Sequence, residues 1–173
     1  VWSLDQPEPV LTARGRWAGF SSAGIAAWSD DTGVWISSRA RRWQPRQVLR
    51  AAPVDRAMWS ERGLTVFTLK GHTVLTADGQ TIEQVAHLPL RNPTLLGRDV
   101  VGIDERGRLT RMGASGELRW STSVASSLLR AIRRVGPDLI GLPAANGGIL
   151  LIDEHAGDLR AVLNGHDGDV FGF

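Results

Sequence analysis

The stretch Gly71-His72-Thr73-Val74-Leu75-Thr76-Ala77-Asp78-Gly79-Gln80-Thr81-Ile82-Glu83-Gln84-Val85-Ala86 decides the fold. A glycine opens a short β-rich run, Thr73-Val74-Leu75. Ala77-Asp78-Gly79 then reverses the chain, because Asp can bond its own backbone and Gly accepts positive φ. Ile82–Ala86 forms the second arm, so the stretch reads as a hairpin. The pattern recurs along the chain. Gly33 precedes Val34-Trp35-Ile36, Gly107 precedes Leu109, and Gly148 precedes Ile149-Leu150-Leu151-Ile152. Closing turns follow at Ala114-Ser115-Gly116 and Ala156-Gly157-Asp158, leading into Leu118–Ser121 and Leu159–Leu163. The opening glycines recur at intervals of roughly 40 residues, the signature of one stacked supersecondary unit.

Two further strands are expected upstream of each glycine: Arg16–Phe20 and Ile25–Ser29, Arg56–Ser60 and Leu64–Leu69, Thr94–Gly97 and Val100–Asp104, Leu128–Val135 and Leu139–Leu142. No window keeps a 3.6-residue period over three turns. Ser126–Val135 is the best helical contender, but it falls in phase with the other first strands. The fold class is therefore all-β, with four units of four strands. Val1–Leu4 and Pro9–Thr12 match the last two strands of a preceding unit, and Val170–Phe173 the first strand of a following one. The expected organisation is a single repeat array with boundaries near 1–15, 16–53, 54–89, 90–124, 125–165 and 166–173. Half-units at both ends would expose apolar faces, so the array is expected to continue in the same polypeptide or a partner chain.

Composition supports a packed domain: 173 residues, 42% hydrophobic and 22% charged, which is too apolar for a disordered chain. The apolar runs are far shorter than the roughly 18 residues of a membrane helix. With no cysteine, disulfides and thiolate metal sites are excluded. Cytoplasmic residence is the default expectation, although a leader upstream of Val1 would alter it. Twenty basic residues face 18 acidic ones for a net charge of +2, which argues against a broad phosphate-tracking surface. Lys70 is the only lysine; this arginine bias reads as base composition and gives the chain a bacterial look.

The two ends carry a family resemblance. Val1-Trp2-Ser3-Leu4 resembles the Val-Trp-Asp-Leu that closes the third strand of a WD40 repeat. Leu163-Asn164-Gly165-His166-Asp167-Gly168-Asp169-Val170 is similar to the Gly-His segment that opens one. Phe20-Ser21-Ser22-Ala23-Gly24 and Ala27-Trp28-Ser29-Asp30-Asp31-Thr32 resemble the first two strands and their turn. The resemblance implies a β-propeller of about four four-stranded blades, plus half-blades, within a larger ring. It implies hydrogen-bonding roles inside a blade for Ser29, Asp30 or Asp31 and His166, with Trp2 at the Trp position. The middle units lack both Gly-His and Trp-Asp. There Gly116-Glu117-Leu118-Arg119-Trp120 resembles the Gly-Glu-x-x-Trp ending of quinoprotein-like propeller repeats.

Little in the sequence points to catalysis. Asp153-Glu154-His155 with Asp158 is the densest set of candidate ligands. It lies in a turn where Asp and Gly are ordinary, and consecutive strand residues face opposite sides. His166-Asp167 has no nucleophile elbow to serve. Asn146-Gly147-Gly148 lacks the Lys and helix of a phosphate cradle. No cofactor or metal is expected, and the chain is not expected to be an enzyme.

Arg39-Ala40-Arg41-Arg42-Trp43-Gln44-Pro45-Arg46 is the sharpest local feature, four arginines and an aromatic in the outer hairpin of a blade. Arginine forks suit carboxylates or phosphates and Trp can stack. The plainer alternative is a solvated loop whose arginine stems cover the Trp. Arg39, Arg41, Arg42, Trp43 and Arg46 are the candidate partner-binding residues, with nucleic acid the less favoured partner. Of the seven Trp, Trp17, Trp28, Trp35 and Trp59 are expected between blades and Trp43 exposed.

The function expected is a recognition module, scaffold or sensor, of a larger multidomain protein that holds a protein or peptide. One alternative is a cofactor-bearing or enzymatic propeller of the quinoprotein type. Another is the sensor part of a signalling or defence effector whose catalytic domain lies outside this segment.

Overall fold

The computed structural model describes residues 14–51, 53–124, 132–144 and 147–164. The expected terminal half-units, Trp2 and His166 lie outside them. The chain divides into two compact units, Val1–Ala86 and His87–Phe173, each containing two four-stranded antiparallel sheets.

The first unit holds β1 (Arg16–Phe20), β2 (Ala26–Asp30), β3 (Gly33–Ser37) and β4 (Arg46–Leu49), then β5 (Val54–Ser60), β6 (Gly63–Thr68), β7 (Gly71–Leu75) and β8 (Thr81–Ala86). The second holds β9 (Arg91–Leu96), β10 (Asp99–Ile103), β11 (Arg108–Met112) and β12 (Leu118–Ser123), then β13 (Arg133–Arg134), β14 (Leu139–Pro143), β15 (Ile149–Asp153) and β16 (Leu159–Leu163). In every sheet sequence neighbours are space neighbours. The phase set by the turns is therefore the phase of the sheets. Of the expected strand Leu128–Val135, only Arg133–Arg134 is described as paired, to Gly141 and Ile140; residues 125–131 lie outside the described set.

Two of the period-setting glycines have a specific steric job. Gly33 and Gly71 open β3 and β7 with φ of 145° and 141°, a region open essentially to glycine alone. A Cβ at Gly33 would overlap the Leu49 carbonyl oxygen, and one at Gly71 the Val85 carbonyl oxygen. The glycine lets the third and fourth strands close up at the hairpin's open end.

The last three sheets also share a bulge. Pairing shifts at the start of the fourth strand between Val74 and Leu75, Arg111 and Met112, and Leu151 and Ile152. Ile82 and the side chains of Arg119 and Arg160 are more than half exposed at the extra position.

Packing follows from strand alternation. In the first unit Ala27, Val34 and Ile36 meet Val54, Ala57, Leu64 and Val66 in one core. In the second, Val101, Ile103 and Leu109 meet Ile140, Leu142, Leu150 and Ile152. Fully burying each such Val, Leu or Ile side chain contributes about 1.5–3 kcal/mol.

Within each unit the fourth strand of one sheet also covers the last hairpin turn of the next. Val48 lies over Gly79, with the Arg46 guanidinium donating to the Asp78 carbonyl. Trp120 lies over Gly157, where an added Cβ would come within 2.8 Å of its ring, and its indole N–H donates to the Glu154 carbonyl at 2.9 Å. One architectural contact is thus made with different residues in the two units.

Candidate functional site

The candidate loop is built on the ends of β3 and β4. Beyond β3, Arg39–Arg41 form a single 3-10 turn. Arg42 and Trp43 follow at φ of 51° and 59°. The Gln44 N–H donates to the Arg41 carbonyl at 3.0 Å, and the Trp43 N–H to the Ser38 carbonyl at 2.9 Å. Two consecutive positive φ values closed in this way make a type I′ turn, which is costly for residues with side chains.

That turn overturns the expectation for Trp43. The indole is half-buried rather than exposed and packs on Ala26 and Trp28 together with Trp35. Its ring stands nearly perpendicular to that of Phe20, with centroids 6.4 Å apart and an interplanar angle of 82°. Trp17 departs in the opposite direction and is 51% exposed. The pairing of β1 with β2 slips between Trp17 and Gly19. This bulge brings Trp17 and Phe20 onto one face, with ring centroids 5.2 Å apart. Trp28 is buried as expected, and Trp59 is half-buried with its indole N–H donating to the Gly19 carbonyl at 3.2 Å.

Of the candidate arginines, Arg39, Arg41 and Arg42 are exposed, and their guanidinium groups pair with no carboxylate among the described residues. Arg46 is not part of that set. It lies in β4 and donates to the Asp78 carbonyl, joining two sheets.

The expected structural residues separate. Ser29 is 2% exposed in β2. Asp30 accepts from the Thr32 N–H at 2.8 Å, the Thr32 hydroxyl at 2.6 Å and the Gly33 N–H at 3.2 Å. The Thr32 hydroxyl chiefly holds this carboxyl below the ordinary value, the amides adding to it. Asp31 is exposed beside it.

The Asp153-Glu154-His155 group does not converge on an ion: among the described residues no cluster of three or more potential metal ligands forms. Asp153 accepts from the Ala156 N–H at 2.8 Å, the His155 N–H at 2.9 Å and the Arg160 guanidinium at 2.7 Å. The Ala156 amide and then Arg160 pull its pKa down to about 2. His155 turns to Asp138, 3.1 Å away. Glu154 turns inward and is 2% exposed.

A carboxyl whose folded pKa is depressed contributes stability above its ordinary pKa of 3.8 and loses it as pH falls towards about 2. Asp153→Asn should therefore be less stable than the parent at neutral pH. In urea titrations the difference should shrink below about pH 4 and be largely lost as pH falls through about 2. A difference that stays constant over this range would show that the charge is immaterial.

The sequence brings up Glu154 only within the candidate ligand group and Phe20 only within a WD40-like segment; neither reading foresees the Arg134 pairing or the groove. Gly19 between two aromatics three residues apart is the one local signal for the bulge.

No protein-family model matches the chain, and no curated protein matches it in sequence. Its sheets superpose on solved structures. The C-terminal WD40 domain of Sif2 matches with a TM-score of 0.64 at 16% identity, covering 88% of this chain and 48% of that one. The Neurospora crassa Pan2 WD40 domain matches at 0.60 and 10%, covering 86% and 49%. BamB from Moraxella catarrhalis matches at 0.58 and 18%, covering 86% and 52%. The fold is that of a WD40-like β-propeller.

Each sheet is a propeller blade, and the chain spans about half the length of the propellers it matches. The blade assignment places the Arg39–Trp43 loop between the third and fourth strands of the first described blade. Among the described residues no helix is long and apolar enough to cross a membrane.

Proposed function

We propose that this propeller segment is a recognition module of a larger multidomain protein and holds a protein or peptide partner, without catalysing a reaction itself. The observation that carries this reading is the loop at the end of the first described blade. Three exposed guanidinium groups, from Arg39, Arg41 and Arg42, have no acidic partner among the described residues. The loop's own Trp43 is fixed against Phe20 and the strand below. Exposed arginine beside a rigid aromatic anchor is the composition enriched at protein interfaces. The turn acids that could suggest chemistry, Asp30 and Asp153, bind backbone amides of their own turns.

The test is a cross-linked pull-down from source cells with the parent and the Arg39→Ala, Arg41→Ala, Arg42→Ala triple variant. Trp43 is left in place because it is packed. Partner recovery should fall severalfold with an unchanged melting temperature. Equal recovery of the same partners would remove the loop from the reading.

A further inference from the structure

We propose that the loop end of the first unit binds an extended acidic peptide segment anchored by one bulky apolar side chain. This rests on the recognition reading above and supplies its partner chemistry.

The topology brings the parts together. In an antiparallel sheet the β1–β2 and β3–β4 loops share one end, as do β5–β6 and β7–β8 in the next sheet. A groove of about 560 Å³ lined by Phe20, Ala23, Trp59, Glu61 and Ala77 spans the two sheets at that end. Phe20 is the hinge of the arrangement. It lines the groove, is 49% exposed, and makes a T-shaped contact with Trp43 in the arginine loop. The cationic loop and the groove are therefore neighbours on one rigid aromatic support.

Charge complementarity selects the occupant. Arg39, Arg41 and Arg42 present forks suited to carboxylates. The other two arginines at this end are engaged internally, Arg46 with the Asp78 carbonyl and Arg62 with Glu83. The positive charge is thus concentrated on one side of Phe20. Exposed Glu61 on the groove's far side favours a segment that is acidic over the loop and apolar over the groove. Phosphate-tracking nucleic acid fits less well. Three cations release few counterions, Glu61 repels a phosphate chain, and Trp43, half-buried against Phe20 and the Ala26–Trp28 cluster, is no open stacking platform.

The test is fluorescence anisotropy on the whole chain with four fluorescein-labelled probes. The first is a dodecapeptide of Asp and Glu with one central Leu. The second carries Asn and Gln in place of every acid, and the third Ser in place of Leu. The fourth is a single-stranded DNA of mixed sequence.

The first probe should bind saturably. The neutral probe, and the Arg39→Ala, Arg41→Ala, Arg42→Ala variant with the first probe, should each bind about tenfold more weakly at low salt, the sum of three modest exposed ion pairs. High salt should narrow that gap. The serine probe and Phe20→Ala should each lose about fivefold, as expected for a half-exposed apolar contact. No saturable binding of the first probe, equal binding of the neutral one, or DNA binding as tight as the peptide would overturn the proposal. If the acidic probe fails while the triple variant still loses its partners in the pull-down, the recognition reading stands and the acidic partner is wrong.

Discussion

Gly71→Ala is expected to destabilise the chain by at least about 3 kcal/mol, and Gly107→Ala by only about 1 kcal/mol, although both glycines open the third strand of a blade or the turn before it. Gly71 sits at φ 141°, paired with Thr68 on one side and Ala86 on the other. A methyl group there would overlap the Val85 carbonyl and come within 2.9 Å of the Ala86 Cα. Both are backbone, so no rotamer change relieves the clash and β8 must move away from β7. Those strands carry Val74, Leu75 and Val85, all buried, so the displacement also opens the core. Gly107 is at φ 75° with nothing within 4 Å of an added Cβ. Alanine there costs only the left-handed conformation, and Gly107→Asn should recover part of it because Asn tolerates that region. Urea unfolding followed by tryptophan fluorescence gives both values. Equal costs for Gly71→Ala and Gly107→Ala would mean that strand closure does not select the glycine.

This contrast shows what the sequence made legible. Blade phase depends on local chemistry: a turn needs Asp or Gly at fixed places, and a strand needs a short β-branched run. Gly33 and Gly71 therefore mark the period, and β1 and β16 have the bounds the sequence implies. The fourth strand of the first sheet was less visible, because Arg46–Leu49 follows a 3-10 turn and an arginine-rich loop instead of an Ala-x-Gly hairpin.

Side-chain direction was legible only where alternation runs unbroken. One bulged residue at Ala18 swings Trp17 out to solvent, and two positive φ values turn Trp43 inward. Arg39, Arg41 and Arg42 are exposed, as three long cations close together in a turn cannot all be buried. Arg46 adjoins them in sequence, but its Asp78 partner lies in the next blade. Phe20 joins the candidate surface only through a groove between two sheets, which no single stretch of sequence encodes.

Glu154→Ala is expected to cost about 3 kcal/mol, whereas Arg160→Ala in the same hairpin should cost far less. In sequence Asp153 and Glu154 are alike, two acids in a turn. The structure separates them by what approaches from elsewhere. Arg134 reaches Glu154 with its Nε 2.7 Å from Oε2 and a second guanidinium nitrogen on Oε1. The Arg111 guanidinium lies 3.6 Å from Oε1, donates to the Glu154 backbone carbonyl, and pairs with Asp99 at 2.8 Å. The Glu154 side chain is 3% exposed and that of Arg111 13%. Removing the carboxylate therefore leaves positive charge at a nearly dry contact between two blades, and desolvation that the pair had offset becomes a net cost. The cost stays near the lower end for a buried pair because Asp99 still neutralises Arg111 and Arg134, with its side chain 48% exposed, regains water. Arg160 is different: its side chain is 58% exposed, and when it is removed Asp153 keeps the His155 and Ala156 amide donors. Trp120 supplies a second reading of the same experiment. Its indole bonds the Glu154 backbone carbonyl, which alanine retains, so a native-like emission spectrum with lowered stability would assign the loss to the carboxylate. Equal costs for the two variants would place Glu154 among ordinary turn acids.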